Sequence, residues 1–225
     1  ARFDRIWAVS DSSRKELLGY WQWLGVKSQP IVEVLALGAD FSSRPRIQNA
    51  SREAALQLLC VGIFEPRKNQ SFLLDVCEKL WGEGLDFELD LVGRVNPHFG
   101  RPVLARVKQL QKRYRGLHYH AAASDTILER IFAHTKVTVF PTIAEGCGLP
   151  VIESLWRGVP CVCSDLPVLM ENTPGGGCVF AAKNDLSAWS EALRLVLTDE
   201  VHYNQLSQEA ITRPLVTWQD TAQTI

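Results

Sequence analysis

From residue 56 onward the chain alternates short apolar runs with stretches of helical periodicity, and this alternation leaves few folds open. Residues 56–62, 87–93, 117–121, 136–141, 159–164 and 177–180 each have the length and apolar content of a buried strand. Between them, residues 71–81 place Phe72, Leu73, Val76 and Leu80 on one helical face. Residues 103–114, 125–134, 148–156, 185–197 and 201–210 also read as helices, with Ser124 or Asp125 as the N-cap of the second and Pro150 near the first turn of the third. Strands separated by helices of about ten residues imply right-handed βαβ units, hence an α/β fold with a Rossmann-like, doubly wound parallel sheet. Ligands of such sheets sit outside the carboxyl ends of the strands, which directs attention to loops 62–68, 93–100, 121–125 and 141–148.

The first 45 residues do not belong to that pattern. Residues 4–10 read as a strand, 12–24 as a helix and 31–35 as a strand, and Ser42-Ser43-Arg44-Pro45-Arg46 as a linker. A lone strand–helix–strand cannot bury both faces of its sheet, so 1–45 is expected to be the tail of another domain, and 54–214 the main unit. Trp21 and Trp23 are then interface or core residues left exposed, a source of poor solubility or self-association. A net charge of −1 gives no general reason to bind nucleic acid. No apolar stretch approaches the ~20 residues of a membrane span, and the opening residues form no signal peptide. Six cysteines in 225 residues are too sparse for a disulfide scaffold, which favours a cytoplasmic setting. Cys161 and Cys163 alternate on a strand and should pack as small hydrophobes. None of the six has zinc-ligand spacing, so no metal is expected.

The densest chemical signal runs from Phe140 to Asp165. A strand ends at Pro141, a loop carries Glu145, and Gly146 and Gly148 lead into a helix. Glycines there let backbone N–H groups approach an anion, and the helix dipole favours negative charge. Glu153 follows about two turns along that helix. Two glutamates at this spacing are commonly solvated salt-bridge partners, but the glycine and proline frame favours a site. Upstream, Arg67 and Lys68 follow a strand ending at Gly62, supplying a fork and a point charge for phosphate. A phosphate at a helix end, flanked by carboxylates that accept from hydroxyls, describes a sugar nucleotide. His118 and His120 alternate on a short strand, and His120, nearer its carboxyl end, is the better placed to meet a base.

Glu145-Gly146-Cys147-Gly148-Leu149-Pro150, Glu153-Ser154, Gly158-Val159-Pro160 and Ser164-Asp165 together resemble the donor-binding half of retaining GT-B glycosyltransferases, glycosyltransferase family 4 (group 1). Val61-Gly62-Ile63-Phe64-Glu65-Pro66-Arg67-Lys68-Asn69 is similar to the family's strand-end G-x-x-x-P-R-K-[GN]. The resemblance implies that Glu145 faces the transferred sugar and that Glu153 accepts from ribose hydroxyls. It also implies that the backbone of Gly146, Cys147, Gly148 and Leu149 meets phosphate and sugar, and that Arg67 and Lys68 neutralise the diphosphate in place of a metal. His120 and Ala121 lie in the loop that receives the base. Cys147 stands where relatives have phenylalanine, and Ile63 where many have arginine, which puts more of the phosphate load on Arg67. Residues 4–13 and 37–41 resemble the last strand–helix and interdomain segment of the family's first domain, and 215–225 the terminal segment that crosses back to it.

The function so implied is transfer of a hexosyl group, with retained configuration, from a GDP- or UDP-linked donor to a saccharide or lipid-linked acceptor. The wording of the motifs looks most like bacterial surface-polysaccharide enzymes that use GDP-mannose. No cofactor is implied, the acceptor would be held by the absent first domain, and the intact enzyme would be cytoplasmic, with a peripheral place on the inner membrane face. The alternative is a nucleotide-sugar-binding module with no turnover of its own.

Overall fold

The computed structural model describes residues 3–41, 45–47, 56–171 and 174–225. Strand β1 (Arg5–Ala8), helix α1 (Asp11–Trp23) and strand β2 (Ile31–Val34) come first, and β1 and β2 pair in parallel as a two-stranded sheet. Then follow β3 (Gln57–Val61), α2 (Gln70–Gly82), β4 (Glu88–Val92), α3 (Arg101–Leu110), β5 (Leu117–His120), α4 (Asp125–His134) and β6 (Val137–Phe140). The chain continues through α5 (Leu149–Trp156), β7 (Cys161–Ser164), α6 (Pro167–Glu171), β8 (Cys178–Ala181), α7 (Leu186–Thr198), α8 (Glu200–Thr212) and α9 (Trp218–Thr224). Strands β3 to β8 form one parallel six-stranded sheet in the order β5-β4-β3-β6-β7-β8.

Period-two alternation along β3 explains both layers of the core. Leu58 and Cys60 face α2, whose Leu73, Leu74, Val76, Cys77 and Leu80 are buried with Trp189 and Leu193 of α7. Leu59 faces the other way, onto Ile131 and Phe132 of α4. Burying both faces of a parallel sheet requires near-continuous apolar strands, and these provide them. Cys161 and Cys163 pack in a third cluster with Phe140, Val151, Leu155 and Leu169, as small hydrophobes. None of the six cysteines is in a disulfide, and burial pushes the Cys60 thiol up to about 12.

The helix starts follow local chemistry. Ser124, rather than Asp125, caps α4 by accepting from the Ile127 N–H, and Asp185 caps α7 by accepting from the Ala188 N–H. Helix α3 begins at Arg101, with Pro102 in its first turn, and ends at Leu110, four residues before the apolar period ends, because residues 111–113 form a turn. Strand β1 covers only Arg5–Ala8 of the expected 4–10, since Ser10 caps α1. Helix α6 has no counterpart in the sequence reading: five residues are too few to show a period.

The 37–41 segment and the terminal helix meet. The Ala39 N–H donates to the Val216 carbonyl (2.8 Å), the Trp218 N–H to Asp40 (2.7 Å), and the Thr221 hydroxyl to the Ala36 carbonyl (2.8 Å). Ser42 to Arg44 of the expected linker and the expected start of the main unit at Ala54 lie outside the described residues. On α1, Tyr20 stacks on Trp23 and both are exposed, Trp23 by 77%. Among the described residues no helix is long and apolar enough to cross a membrane.

Where β3, β4 and β5 end, the backbones draw together. The Gly62 N–H donates to the Val92 carbonyl and the Gly93 N–H to the His120 carbonyl. A Cβ on Gly93 would overlap the Gly62 carbonyl. Gly93→Ala is therefore expected to destabilise the protein by about 1–3 kcal/mol, as overpacking does, measured as a lower urea midpoint with unchanged slope.

Candidate active site

The sheet order reverses between β3 and β6, which makes the crevice outside their carboxyl ends the place for a ligand. The two loops bordering it are tied together. The Ile143 N–H donates to the Arg67 carbonyl (2.8 Å), and the Asn69 amide donates to the Pro141 carbonyl (3.1 Å). Asn69 itself adopts a left-handed conformation between the single 3₁₀ turn at Pro66–Lys68 and α2.

The 3₁₀ turn presents two cations to one carboxylate. Lys68 Nζ lies 2.6 Å and Arg67 Nη1 2.9 Å from Glu145 Oε1, and the Thr142 hydroxyl is 2.9 Å from the same oxygen. Lys68 is buried, its ammonium 4.8 Å from the centre of the Phe140 ring, whereas Arg67 remains half exposed and also pairs with Glu65 (2.7 Å). Arg67, Lys68 and Glu145 thus come from loops 77 residues apart in sequence and converge at the switch point. With Glu65 included, two carboxylates face the two cations, so the fork of Arg67 and the ammonium of Lys68 are held in place as hydrogen-bond donors for an anion.

Next to this cluster the chain enters α5. Gly148 is left-handed (φ +77°), and a Cβ there would strike the Leu169 side chain, so the turn into the helix requires glycine. No side chain caps α5, which leaves the amides of its entry for an anion. The Cys147 side chain is buried and lines a separate cavity of about 410 Å³ with Leu37, Ile152 and Leu215. Glu153, in the second turn of α5, is largely buried, and burial raises its carboxyl above the ordinary range while Arg157 pulls it back down.

Two serine hydroxyls join the start of α1 to this loop, and a glutamate joins it to α6. Ser10 accepts from the Ser13 N–H (3.0 Å) and donates to the Gly146 carbonyl (2.6 Å), to which the Ser13 hydroxyl also donates (3.0 Å). Glu171, at the end of α6, accepts from the Asp11 and Ser12 N–H groups at 2.7 and 3.0 Å. The first turn of α1 is therefore satisfied partly from across the crevice. Between α1 and the loops lies a cavity of about 570 Å³ lined by Ser12, Glu16, Arg67, Glu145, Gly146 and Pro167.

His120 and Ala121 stand apart from the ion cluster, at the end of the edge strand β5. Ala121 is exposed, and the His120 ring is bonded to the buried Asp90 (2.6 Å), which also accepts from Gln57. Sequence reasoning missed Thr142, Ser10, Ser13, Glu171 and Asp90. Ser10 left a trace as an N-cap serine and Thr142 stands three residues before Glu145; Ser13, Glu171 and Asp90 act across long sequence separations that no local pattern encodes.

The fold is that of a Rossmann-like half, with cations, a carboxylate and a helix entry at the switch point. The chain belongs to the family Glycosyl transferases group 1, whose model matches residues 43–213. It is 33% identical over 186 residues to the serotype-specific mannosyltransferase WbdA of Escherichia coli, covering 75% of this chain but 22% of that protein. It is 29% identical over 202 residues to the O-antigen chain mannosyltransferase B of E. coli, covering 87% of this chain and 52% of that protein. The chain thus spans about half or less of these relatives. An α,α-trehalose-phosphate synthase (UDP-forming) from Burkholderia vietnamiensis superposes with a TM-score of 0.79 at 14% identity, over 99% of this chain and 58% of that one. Anabaena HepE, solved in complex with UDP and glucose, gives 0.76 at 12% identity, over 98% of this chain and 61% of that one. These likenesses establish the C-terminal half of a GT-B fold.

Glu171→Ala removes the acceptor for two α1 amides. Hydrogen exchange at Asp11 and Ser12 is expected to accelerate roughly tenfold or more, the scale of a charge-assisted hydrogen bond, while β3 amides keep their protection.

Proposed function

We propose that this chain is the donor-binding part of a retaining hexosyltransferase that takes mannose from GDP-mannose. The acceptor is a saccharide or lipid-linked saccharide in surface-polysaccharide synthesis. The convergence of Lys68 and Arg67 on Glu145, at the switch point and beside the uncapped entry of α5, carries this reading. The mannosyltransferase names of its relatives favour that sugar, and the O-antigen role of mannosyltransferase B favours that pathway class.

In this mechanism the diphosphate lies against Arg67, Lys68 and the amides of Gly146, Cys147, Gly148 and Leu149, with Gly62 allowing close approach at the strand end. The ribose hydroxyls donate to Glu153, and the base extends towards His120 and Ala121. The bond between the anomeric carbon and the phosphate oxygen breaks, and negative charge builds on the departing diphosphate. Arg67 and Lys68 stabilise that charge more in the transition state than in the ground state, which is what accelerates the step. Glu145, held by the same cations, faces the sugar as its positive charge develops. The acceptor oxygen bonds the anomeric carbon on the face the phosphate leaves, and its proton passes to the released phosphate. The two cations do the neutralising that a metal would otherwise do. Six cysteines without a disulfide suit a reducing cytoplasm, and we place the protein there, peripheral to the inner membrane face where a lipid-linked acceptor would be met.

Calorimetric titration with GDP-, UDP- and ADP-sugars tests the reading. GDP-mannose is expected to saturate the site, and Lys68→Ala and Glu153→Ala each to weaken it roughly tenfold or more, the cost of a lost charged hydrogen bond. Absence of binding by any nucleotide sugar at millimolar concentration, or variants that bind like the parent, would refute it. Release of GDP and mannose from the donor would show that the chain carries chemistry; binding without release would mark a donor-holding module.

The raised Glu153 carboxyl gives a pH dependence with a defined sign. Protonation turns its acceptor oxygen into a donor, so affinity for GDP should fall as pH drops, starting at higher pH than an ordinary carboxylate would give. A titration of Kd against pH reads this directly, and Glu153→Ala should flatten it.

A further inference from the structure

Glu153 does not stand alone on α5. Arg157, one turn further on, places Nη1 3.1 Å from Glu153 Oε1 and 3.3 Å from the Glu153 carbonyl. The other edge of the same guanidinium reaches α4, with Nη2 2.7 Å and Nε 3.1 Å from Glu129 Oε1. Its central carbon lies 4.5 Å from the centre of the Phe132 ring, and the residue is 7% exposed. Arg157 is thus a desolvated fork that bolts the helix carrying Glu153 to the helix that starts at the base-receiving loop.

The electrostatics around Glu153 make this cation necessary. Burial, Glu129 and Asp125 all oppose ionisation of Glu153, and Arg157 is the group that favours it, both by its charge and by its hydrogen bond. A buried carboxylate without that partner would protonate or turn away. Lysine could not replace the fork: one ammonium on a flexible stem cannot hold two carboxylates and stack on a ring at once.

We propose that Arg157 is a positioning residue for nucleotide recognition: through its bridge between Glu153 and Glu129 it keeps the Glu153 carboxylate ionised and aimed, and so sets the preference for a ribose that bears both hydroxyls. It engages Oε1 of Glu153 and leaves Oε2 as the acceptor for the ligand. The inference rests on the reading of Glu153 as the ribose acceptor given above.

The test uses the full chain, with GDP and 2′,3′-dideoxy-GDP as probes, and the ratio of their dissociation constants as readout. The parent is expected to prefer GDP roughly tenfold or more, the scale of a hydrogen bond to a charged acceptor. Glu153→Ala should bring the ratio close to one. Arg157→Met, which keeps the apolar stem, should do nearly the same while leaving dideoxy-GDP affinity unchanged, with the preference partly returning as pH rises and Glu153 ionises. Arg157→Lys should fail to restore it. A parent without preference, or a Glu153→Ala variant that keeps it, overturns the ribose reading and the inference with it. A ratio lost in Glu153→Ala but retained in Arg157→Met overturns the inference alone. If Arg157→Met does not fold, Glu129→Gln loosens the second anchor without removing the cation. A partial loss of the ratio then supports the proposal, and an unchanged ratio overturns it.

Discussion

One carboxylate oxygen holds the crevice together. Glu145 Oε1 collects Lys68, Arg67 and Thr142, and in doing so it joins the loop after β3 to the loop after β6 across the point where the strand order reverses. The contact is possible because β3 and β6 are adjacent although most of three βαβ units separate them in sequence. Lys68 can be buried there only because a carboxylate and an aromatic face replace its hydration. The same arrangement keeps the cations preorganised, which in the proposed function limits the reorganisation that donor binding requires.

The second dependence runs through α1. Its opening turn is completed by Glu171, and its serines hold the Gly146 carbonyl. A trans peptide is planar, so fixing that carbonyl also fixes the Cys147 N–H on the opposite side. The segment before residue 41, which by pattern alone is a tail of something else, is therefore bonded to the loop on which the proposed chemistry depends. Terminal helix α9 does the same for residues 36–41 from the other end of the chain.

Much of this was legible from residues alone. The six strands, most of the helices and the strand-end loops that carry Arg67, Lys68 and Glu145 follow from short apolar runs, helical periods and glycine punctuation, because each is a local pattern with one physical meaning. Helix α6 was not legible, since five residues carry no period, and neither was the early end of α3, where a turn overrides an apolar repeat. Arg157 was half legible: its i,i+4 spacing from Glu153 is readable, but its bond to Glu129 on another helix is not.

The sequence by itself determined the parallel α/β class and the placing of Arg67, Lys68 and the glutamate pair at strand ends and a helix entry, because backbone period and turn chemistry are written locally. Tertiary structure alone decided that Glu145 binds both cations, that Asp90 holds His120, that Arg157 bridges two helices, that Ser10 and Ser13 bind the start of α1 to the glycine loop, and that Glu171 binds it to α6. These are contacts between side chains or backbone groups brought together by strand order, and a buried charge or N–H takes whichever partner the packing places within reach.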